Sequence, residues 1–306
     1  MTRERTVGAY AALAAGVVAI SWSAIFVRWA NMPGIASAFY RVFFASLALW
    51  PILLFSRRRR FSPIDRRIVW LALLAGIFFA GDVGSYNVSV LHTSAGSATF
   101  LGNNAPLVVG LLTWAITRRL PSRHFWIALA IGVSGAYLIV RVDVQHLGSR
   151  LSADYLAILA SICFALYLLA TERLRETCDT AILVALSTTA SAFALLFVAL
   201  WGHISLAVPD ISSLAALVGL GLVCQLTGYL CLTYALGHLP ATITSIVMLA
   251  AAPLTALLAL LFFKEQFAGL QILGAGLVLL GIRIVSNTRR DQQPSKLEDE
   301  ETIQVV

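Results

Sequence analysis

The sequence predicts an all-α integral membrane protein with ten transmembrane helices, arranged as two inverted repeats of five helices. Of its 306 residues, 59% are hydrophobic and 12% are charged, whereas soluble domains carry about 25% charged residues. The mean hydropathy is +0.85. Ten apolar runs follow one another along the chain, and each is close to the ~20 residues that a helix needs to cross a bilayer.

Each predicted helix is an apolar run that ends at a short polar turn. The first run lacks the small-residue cleavage site of a signal peptide, so it is also predicted to span the membrane. Several runs are separated by proline turns, at Pro33-Gly34, Ser62-Pro63, Pro121-Ser122 and Pro209-Asp210. The ten runs cover approximately residues 7–30, 35–55, 68–91, 95–117, 124–140, 153–171, 180–201, 212–236, 241–263 and 268–286.

The basic residues predict the side of the membrane on which each loop lies. Cytoplasmic loops are enriched in Lys and Arg, and a cytoplasmic N-terminus places 16 of these residues inside. Only Arg28, Arg141, Arg150 and Lys264 then lie outside. We therefore expect a bacterial cytoplasmic (inner) membrane protein with both termini in the cytoplasm. The SRRRR cluster at 56–60 is expected to anchor the second helix, with lipid-headgroup binding as the alternative.

The two halves of the chain are related by an internal repeat. VLHTSA, which contains His92, matches LGHLPA, which contains His238, and Pro106 matches Pro253 at almost the same offset. Chance similarity between Leu-rich helices is the alternative, but a histidine and a proline recur in register. Because five is an odd number, the second copy begins on the other side of the membrane, as in many secondary transporters. The predicted units are a first repeat at 1–142, an inverted second repeat at 143–286 and a disordered cytoplasmic tail at 287–306.

The strongest candidate site is the stretch GDVGSYNVSVLHTSAGSATFLGNNAP, residues 81–106. Read as a helical hairpin, it places Asp82 and Asn103 roughly 12–14 Å from its turn, near the middle of a ~30 Å hydrocarbon core. An ionisable residue at that depth is a functional-site hypothesis by default. Asp82 either binds a substrate amine or a proton, or makes a structural hydrogen bond. Tyr86 shares its helix face, and one of Asn103 and Asn104 is expected to face the cavity.

Four further polar or aromatic residues are predicted at cavity depth. Arg41 is placed to pair with a substrate carboxylate or with Asp82, and snorkelling to the interface is the alternative. Trp22 either stacks on a planar substrate or packs in the core. Gln225 and Tyr229 are one turn apart in the eighth run and need hydrogen-bond partners in hydrocarbon.

Two prolines are candidate gating residues because they are related by the repeat. Pro106 and Pro253 are both predicted in mid-helix. A proline there removes a backbone hydrogen bond and permits a kink. Such a kink would suit a helix that bends between access states, and an ordinary structural kink is the alternative.

An ordered set of motifs runs across both halves of the chain. Besides the hairpin, the motifs are ISWSAIFVR (20–28), YRVFFASLAL (40–49), ALGHLPATI (235–243), APLTALLALLFFKEQF (252–267) and GAGLVLLG (274–281). This set resembles the drug/metabolite transporter superfamily, EamA type. The resemblance implies ten helices with both termini inside. It also implies transport of small metabolites such as amino acids through a central cavity, with export as the expected direction. One feature departs from the family, since only the second half keeps an acid after its fourth helix, Glu265.

Other function classes lack support in the sequence. The net charge of +7 is concentrated in short inner loops, which argues against nucleic-acid binding. No GxxxxGK[ST] loop is present, so we expect no ATP-driven step in this chain. The cysteines lack metal-binding spacing, and no cofactor is expected. The expected partners are a small-molecule substrate and the lipid bilayer. An integral-membrane enzyme acting on a lipid or prenyl substrate, or a passive channel, is the alternative.

Overall fold

The protein is described by a computed structural model whose regular elements are all helical. The model describes residues 3–55, 65–92, 98, 101–102, 104–118, 120–140, 151–263, 269–270 and 272–286. The α-helices are α1 Arg3–Ser21, α2 Ser23–Trp29, α3 Gly34–Phe55, α4 Arg66–His92, α5 Ala105–Thr117, α6 Arg123–Val140, α7 Leu151–Leu174, α8 Thr180–Trp201, α9 Ile211–Gly219, α10 Tyr229–Leu236, α11 Ala241–Met248, α12 Ala251–Phe263 and α13 Ile272–Ser286. A π-helix, Leu220–Gly228, joins α9 to α10.

The helices confirm the predicted all-α membrane fold. Within the described residues they fall into the ten predicted runs, because α1–α2, α9–π–α10 and α11–α12 are each one interrupted run. Seven of these runs are long and apolar enough to cross a membrane, and α5 and α13 are shorter apolar helices. The predicted tail at 287–306 and the cluster at 56–60 lie outside the described residues.

The first run is interrupted at Trp22, between α1 and α2. The Ser21 hydroxyl donates to the Val17 carbonyl at 2.7 Å, a contact within the helix that often bends it. The Ser21 carbonyl accepts a hydrogen bond of 3.0 Å from the Thr255 hydroxyl on α12. The interruption is therefore stabilised by a helix from the other half of the chain.

The two repeat-related prolines mark places where helices restart. Pro106 is in the first turn of α5, directly after the N-cap residue Asn104 and Ala105. Pro253 is in the first turn of α12, after a turn at Leu249 and Ala250. The prediction that both lie in mid-helix is therefore wrong. The first-turn N–H groups of a helix have no intrahelical partner, so a proline there loses no hydrogen bond.

A nine-residue π-helix interrupts the eighth run at Leu220–Gly228. Its wider turn is visible in Thr227, whose hydroxyl donates to the Leu222 carbonyl, five residues earlier, at 3.0 Å. Glycines let its backbone pack closely against α3: a Cβ on Gly221 would lie 2.7 Å from Phe44 Cβ. Long π-helices are rare and occur often at functional sites, which directs attention to the residues of this segment.

Helix α4, which carries Asp82, is fixed by close contact with α8. A Cβ added to Gly76 would lie only 2.4 Å from the Ser187 carbonyl oxygen. The Ser191 hydroxyl donates to the Gly76 carbonyl at 2.6 Å. Gly76 is six residues, or roughly 9 Å of helix, before Asp82. The position of the carboxylate therefore depends on a backbone contact between the two halves.

Two local structures recur at the predicted repeat offset. Nδ1 of His92 donates to the Val88 carbonyl at 2.8 Å, and Nδ1 of His238 donates to the Tyr234 carbonyl at 2.9 Å. At the other end of the same helices, Asp65 and Asp210 each accept a backbone N–H at the helix N-terminus, at 3.1 Å and 2.7 Å. Both copies thus begin and end this helix with the same side-chain contacts.

Candidate functional site

A cavity lies between the two halves at the level of Asp82. It holds about 490 Å³ of empty volume, part of which is open to solvent. Its walls come from α1 to α4 of the first half and from α7 and α10 to α12 of the second. The lining residues are Ile20, Ser23, Arg41, Asp82, Val83, Tyr86, Gly102, Phe164, Tyr229, Met248, Ala251 and Thr255.

One acidic and one basic side chain line this cavity without contacting each other. Arg41 is 2% exposed and Asp82 is 8% exposed. No ion pair joins them among the described residues, and the charge of Arg41 acts on Asp82 only through space. Asp82 makes no hydrogen bond to any described residue. A buried charge without a partner is expensive, so this arrangement leaves each of the two groups able to accept a ligand of opposite charge.

The Arg41 guanidinium is held by three neighbours. Its Nε donates to Gln225 Oε1 at 3.0 Å, and its Nη1 donates to Ser23 Oγ at 2.9 Å. The Tyr229 ring centroid is 5.5 Å from Arg41 Cζ, within the range of a cation–π contact. All three neighbours are uncharged. The remaining nitrogen, Nη2, makes no hydrogen bond to any described residue, so it is the group left for a ligand.

Three buried aromatic rings pack together beside the cavity, and one of them, Tyr229, lines it. Phe79 lies 4.6 Å from Tyr229 and 4.9 Å from Tyr167 between ring centroids, and the two tyrosine rings are 6.0 Å apart. Each of the three side chains is at most 3% exposed. On α4, Phe79 precedes Asp82 toward the Arg66 end. The three rings therefore form a packed cluster that adjoins the cavity through Tyr229.

The structure brings four of the predicted site residues together and separates the others. Asp82, Tyr86, Arg41 and Tyr229 line the cavity. The other predicted site residues do not. Gln225 is fully buried behind Arg41, Trp22 packs against Phe26 and Phe262, Asn104 is the N-cap residue of α5 and Asn103 lies outside the described residues.

Several lining residues are absent from the predicted set. Ser23 directly follows the interruption at Trp22, and Thr255 donates a hydrogen bond to the Ser21 carbonyl before it; the sequence did not predict this interruption. At the 146-residue offset Trp22 corresponds to Leu168, one helical turn after Phe164, so the repeat indicates only the neighbourhood of Phe164. Met248 lies directly before the break that separates α11 from α12. Helix interruptions, which polar patterns do not reveal, thus contribute lining residues to the site.

The described residues offer no cluster of three His, Cys, Asp or Glu side chains that could bind a metal ion. All four cysteines, Cys163, Cys178, Cys224 and Cys231, are free thiols. Burial raises the pKa of the Cys178 thiol, which lies in the loop after α7, and the neighbouring Asp179 acts in the same direction. The polar groups of the cavity are therefore suited to binding by charge and hydrogen bonds.

Comparisons with known proteins agree with this architecture. The model of the EamA-like transporter family matches the chain twice, at residues 7–141 and 151–287. A relative in Bacillus subtilis (strain 168), described as "Uncharacterized transporter YwfM", is 26% identical over 228 residues, which is 74% of this chain and 76% of the relative. A solved structure described as "Crystal structure of protein" matches with a TM-score of 0.76 and 14% identity, over 95% of this chain and 99% of the other, and supports the fold alone. The chain is an integral membrane protein of the EamA-like transporter family, whose function is the membrane transport of small molecules.

Proposed function

We propose that the protein is a secondary transporter that exports small zwitterionic metabolites, amino acids or related compounds, across a bacterial inner membrane. One observation supports this most strongly: a single cavity presents Asp82 and Arg41, which are buried and not paired with each other. A zwitterion carries one group for each of them.

Each charged side chain has a separate role in this proposal. Asp82 accepts hydrogen bonds from the substrate ammonium group, and Nη2 of Arg41 donates to the substrate carboxylate. Tyr86 and Phe164, which also line the cavity, contact the remainder of the substrate. A charge-assisted hydrogen bond contributes about 1.5–3 kcal/mol, so two of them correspond to dissociation constants from roughly 6 mM down to roughly 40 µM.

Alternating access is supported by the cluster of packed rings beside the cavity and by the interrupted helices around it. In this proposal, Phe79, Tyr167 and Tyr229 form the barrier between the cavity and the end of the molecule that contains Arg66. With both termini in the cytoplasm, as the basic residues predict, that end is the cytoplasmic one. Export then requires the rings to separate so that substrate enters from the cytoplasm. Helix ends at Trp22, Asn104 and Leu249 are the places where the walls can move.

The test is counterflow in vesicles that contain the purified protein. Vesicles are loaded with one unlabelled amino acid and diluted into a trace of the same labelled compound, for a panel of twenty. A carrier is expected to accumulate label transiently above equilibrium for at least one of them, whereas a passive channel only equilibrates it. Protein-free vesicles are the control. Failure of every zwitterion, together with counterflow of compounds of a single charge, would overturn the proposal.

A further inference from the structure

Among the predicted substrate-binding residues that the structure describes, Gln225 is the one with no exposed surface, and its side chain contacts Arg41. It is 0% exposed and lies in the π-helix. Its Oε1 accepts a hydrogen bond from Arg41 Nε at 3.0 Å. Its own amide nitrogen, Nε2, is buried with no hydrogen-bond partner in the described part of the chain. The amide cannot be turned around, because Arg41 offers only donors. Its orientation is thus set by Arg41 alone.

We propose that Gln225 is a positioning residue that holds the Arg41 guanidinium away from Asp82 and so keeps both charges available. The effect of Gln225 on transport rests on the function proposed above. The separation of Arg41 from Asp82 does not rest on that function and can be tested without a substrate.

The two charges need something to keep them apart. Both side chains line one buried cavity, and opposite charges attract strongly where water is scarce. Arg41 nevertheless makes its hydrogen bonds to Gln225 and Ser23. The bond at Nε matters most because Nε is the nitrogen nearest the aliphatic stem. Together the bonds at Nε and Nη1 fix both the plane and the direction of the rigid guanidinium.

A neutral acceptor at position 225 is what this role requires. A glutamate would satisfy Arg41 equally well in geometry, but its charge would cancel that of the guanidinium. A leucine would fill the space and leave Nε without an acceptor, so that Arg41 would be free to turn toward Asp82. The glutamine keeps Arg41 in place and leaves its charge uncompensated, at the expense of its own unpaired Nε2.

The π-helix brings Gln225 close to Arg41. A Cβ on Gly221 would lie 3.1 Å from the Arg41 carbonyl oxygen, so the two backbones are almost in contact. Gln225 and Tyr229, four residues apart, both contact the guanidinium from this segment. The interruption of the eighth helix thus serves the Arg41 site.

The test compares Gln225→Leu with Gln225→Glu, because the proposal predicts slower labelling of Asp82 in the first variant and no slowing in the second. Dicyclohexylcarbodiimide labels protonated carboxyl groups in apolar surroundings, and mass spectrometry measures the label on the Asp82 peptide. Among the described residues, the titratable groups that interact with Asp82 are Arg41, Cys163, Tyr167 and Tyr229. Of these, Arg41 is the cation. Gln225→Leu releases its guanidinium, and Gln225→Glu compensates its charge.

In Gln225→Leu, Arg41 pairs with Asp82, so labelling at the pH of half-maximal wild-type labelling should become about three- to tenfold slower. In Gln225→Glu, Arg41 is neutralised, so labelling of Asp82 should stay at the wild-type rate or rise. Both variants should lose counterflow. A role in packing alone predicts unchanged labelling in both, and that result, or a change in the same direction, would overturn the proposal.

Two further variants distinguish the proposed electrostatic effect from an effect of misfolding. Ser23→Ala removes the hydrogen bond at Nη1 from outside the π-helix and should slow labelling in the same direction by a smaller factor. Thr227→Val removes the hydrogen bond of an exposed side chain that does not contact Arg41 and should label and transport like the wild type. Size-exclusion profiles identify folded variants. If Ser23→Ala and a folded Gln225→Leu both label at the wild-type rate, Arg41 is not being held from Asp82.

Discussion

Helix α4 and its counterpart in the second half, α9–π–α10, show how two copies of one unit have come to differ. Both begin with an aspartate that caps the helix and end with a histidine that contacts the backbone four residues earlier. Between these ends, α4 is a continuous helix of 27 residues, whereas its counterpart is interrupted by a π-helix of nine residues. At the 146-residue offset between His92 and His238, Asp82 corresponds to Gly228.

The difference indicates that the two halves contribute different kinds of side chain to the cavity. The first half supplies both charges, Arg41 and Asp82, while the second half supplies uncharged support through Gln225 and Tyr229. A repeat with identical charges in both copies would place like charges together near the middle of the membrane, where they would repel each other. An asymmetric pair of halves gives one acid and one base instead.

The largest effect is expected from removing the charge that only α4 carries. Asp82→Asn keeps the size and shape of the side chain but loses the acceptor for an ammonium group. Since a charge-assisted hydrogen bond contributes about 1.5–3 kcal/mol, counterflow should fall by about 10- to 100-fold. Rates in vesicles from pH 5.5 to 8.5 provide the measurement. Asp65→Asn, in an exposed cap, is the matched control and should transport normally.

The same variant should fold, because an unpaired buried charge destabilises a structure and asparagine removes it. Thermal unfolding in detergent should therefore show a melting temperature equal to or above that of the wild type. If Asp82→Asn transports at the wild-type rate with the same pH profile, Asp82 has no part in the mechanism.

An intermediate effect is expected where α4 contacts the second half backbone to backbone. Gly76→Ala places a Cβ 2.4 Å from a carbonyl oxygen, and such overpacking costs about 1–3 kcal/mol. In Gly228→Ala the nearest atom to the added Cβ is Cγ1 of the Ile20 side chain, at 2.7 Å; because a side chain yields more easily than a backbone carbonyl, its loss of stability should be smaller. Gly8→Ala, with nothing within 4 Å, is the control. Melting temperatures in the reverse order would contradict the close contact between α4 and α8.

The smallest effect concerns the aspartate that begins α9. Hydrogen bonds from the Ser212 hydroxyl and the Ser213 backbone N–H lower the pKa of Asp210 below its ordinary value of 3.8. Its charge therefore stabilises the folded state above that value, and the contribution disappears as the pH falls through the lowered pKa. Asp210→Asn should lower the melting temperature slightly at pH 7, and the difference should shrink below pH 4. A difference that grows on acidification would contradict this assignment.

The sequence predicts the helices well, because apolar runs of about 20 residues separated by charged turns have few alternative structures. Asp82, Tyr86, Arg41 and Tyr229 could also be found, since polar groups in apolar runs are conspicuous. The helix interruptions could not be found from the sequence. Trp22 begins a new helix because of the Ser21 hydroxyl and Thr255, and the π-helix depends on glycines that pack against another helix. Both depend on tertiary contacts that periodicity does not contain, which is why Gln225 was predicted in the cavity and lies behind it.

The central claim, that the cavity binds one positive and one negative group at once, is tested most directly by competition. Counterflow of the best transported amino acid is measured against the same amino acid unlabelled, its N-acetyl derivative and its methyl ester. The intact zwitterion should inhibit at concentrations about 10- to 100-fold lower than either derivative, because each derivative loses one charge-assisted contact. In Asp82→Asn the N-acetyl derivative should lose this disadvantage, while the ester should keep its own. Equal inhibition by all three compounds in the wild type would contradict the claim.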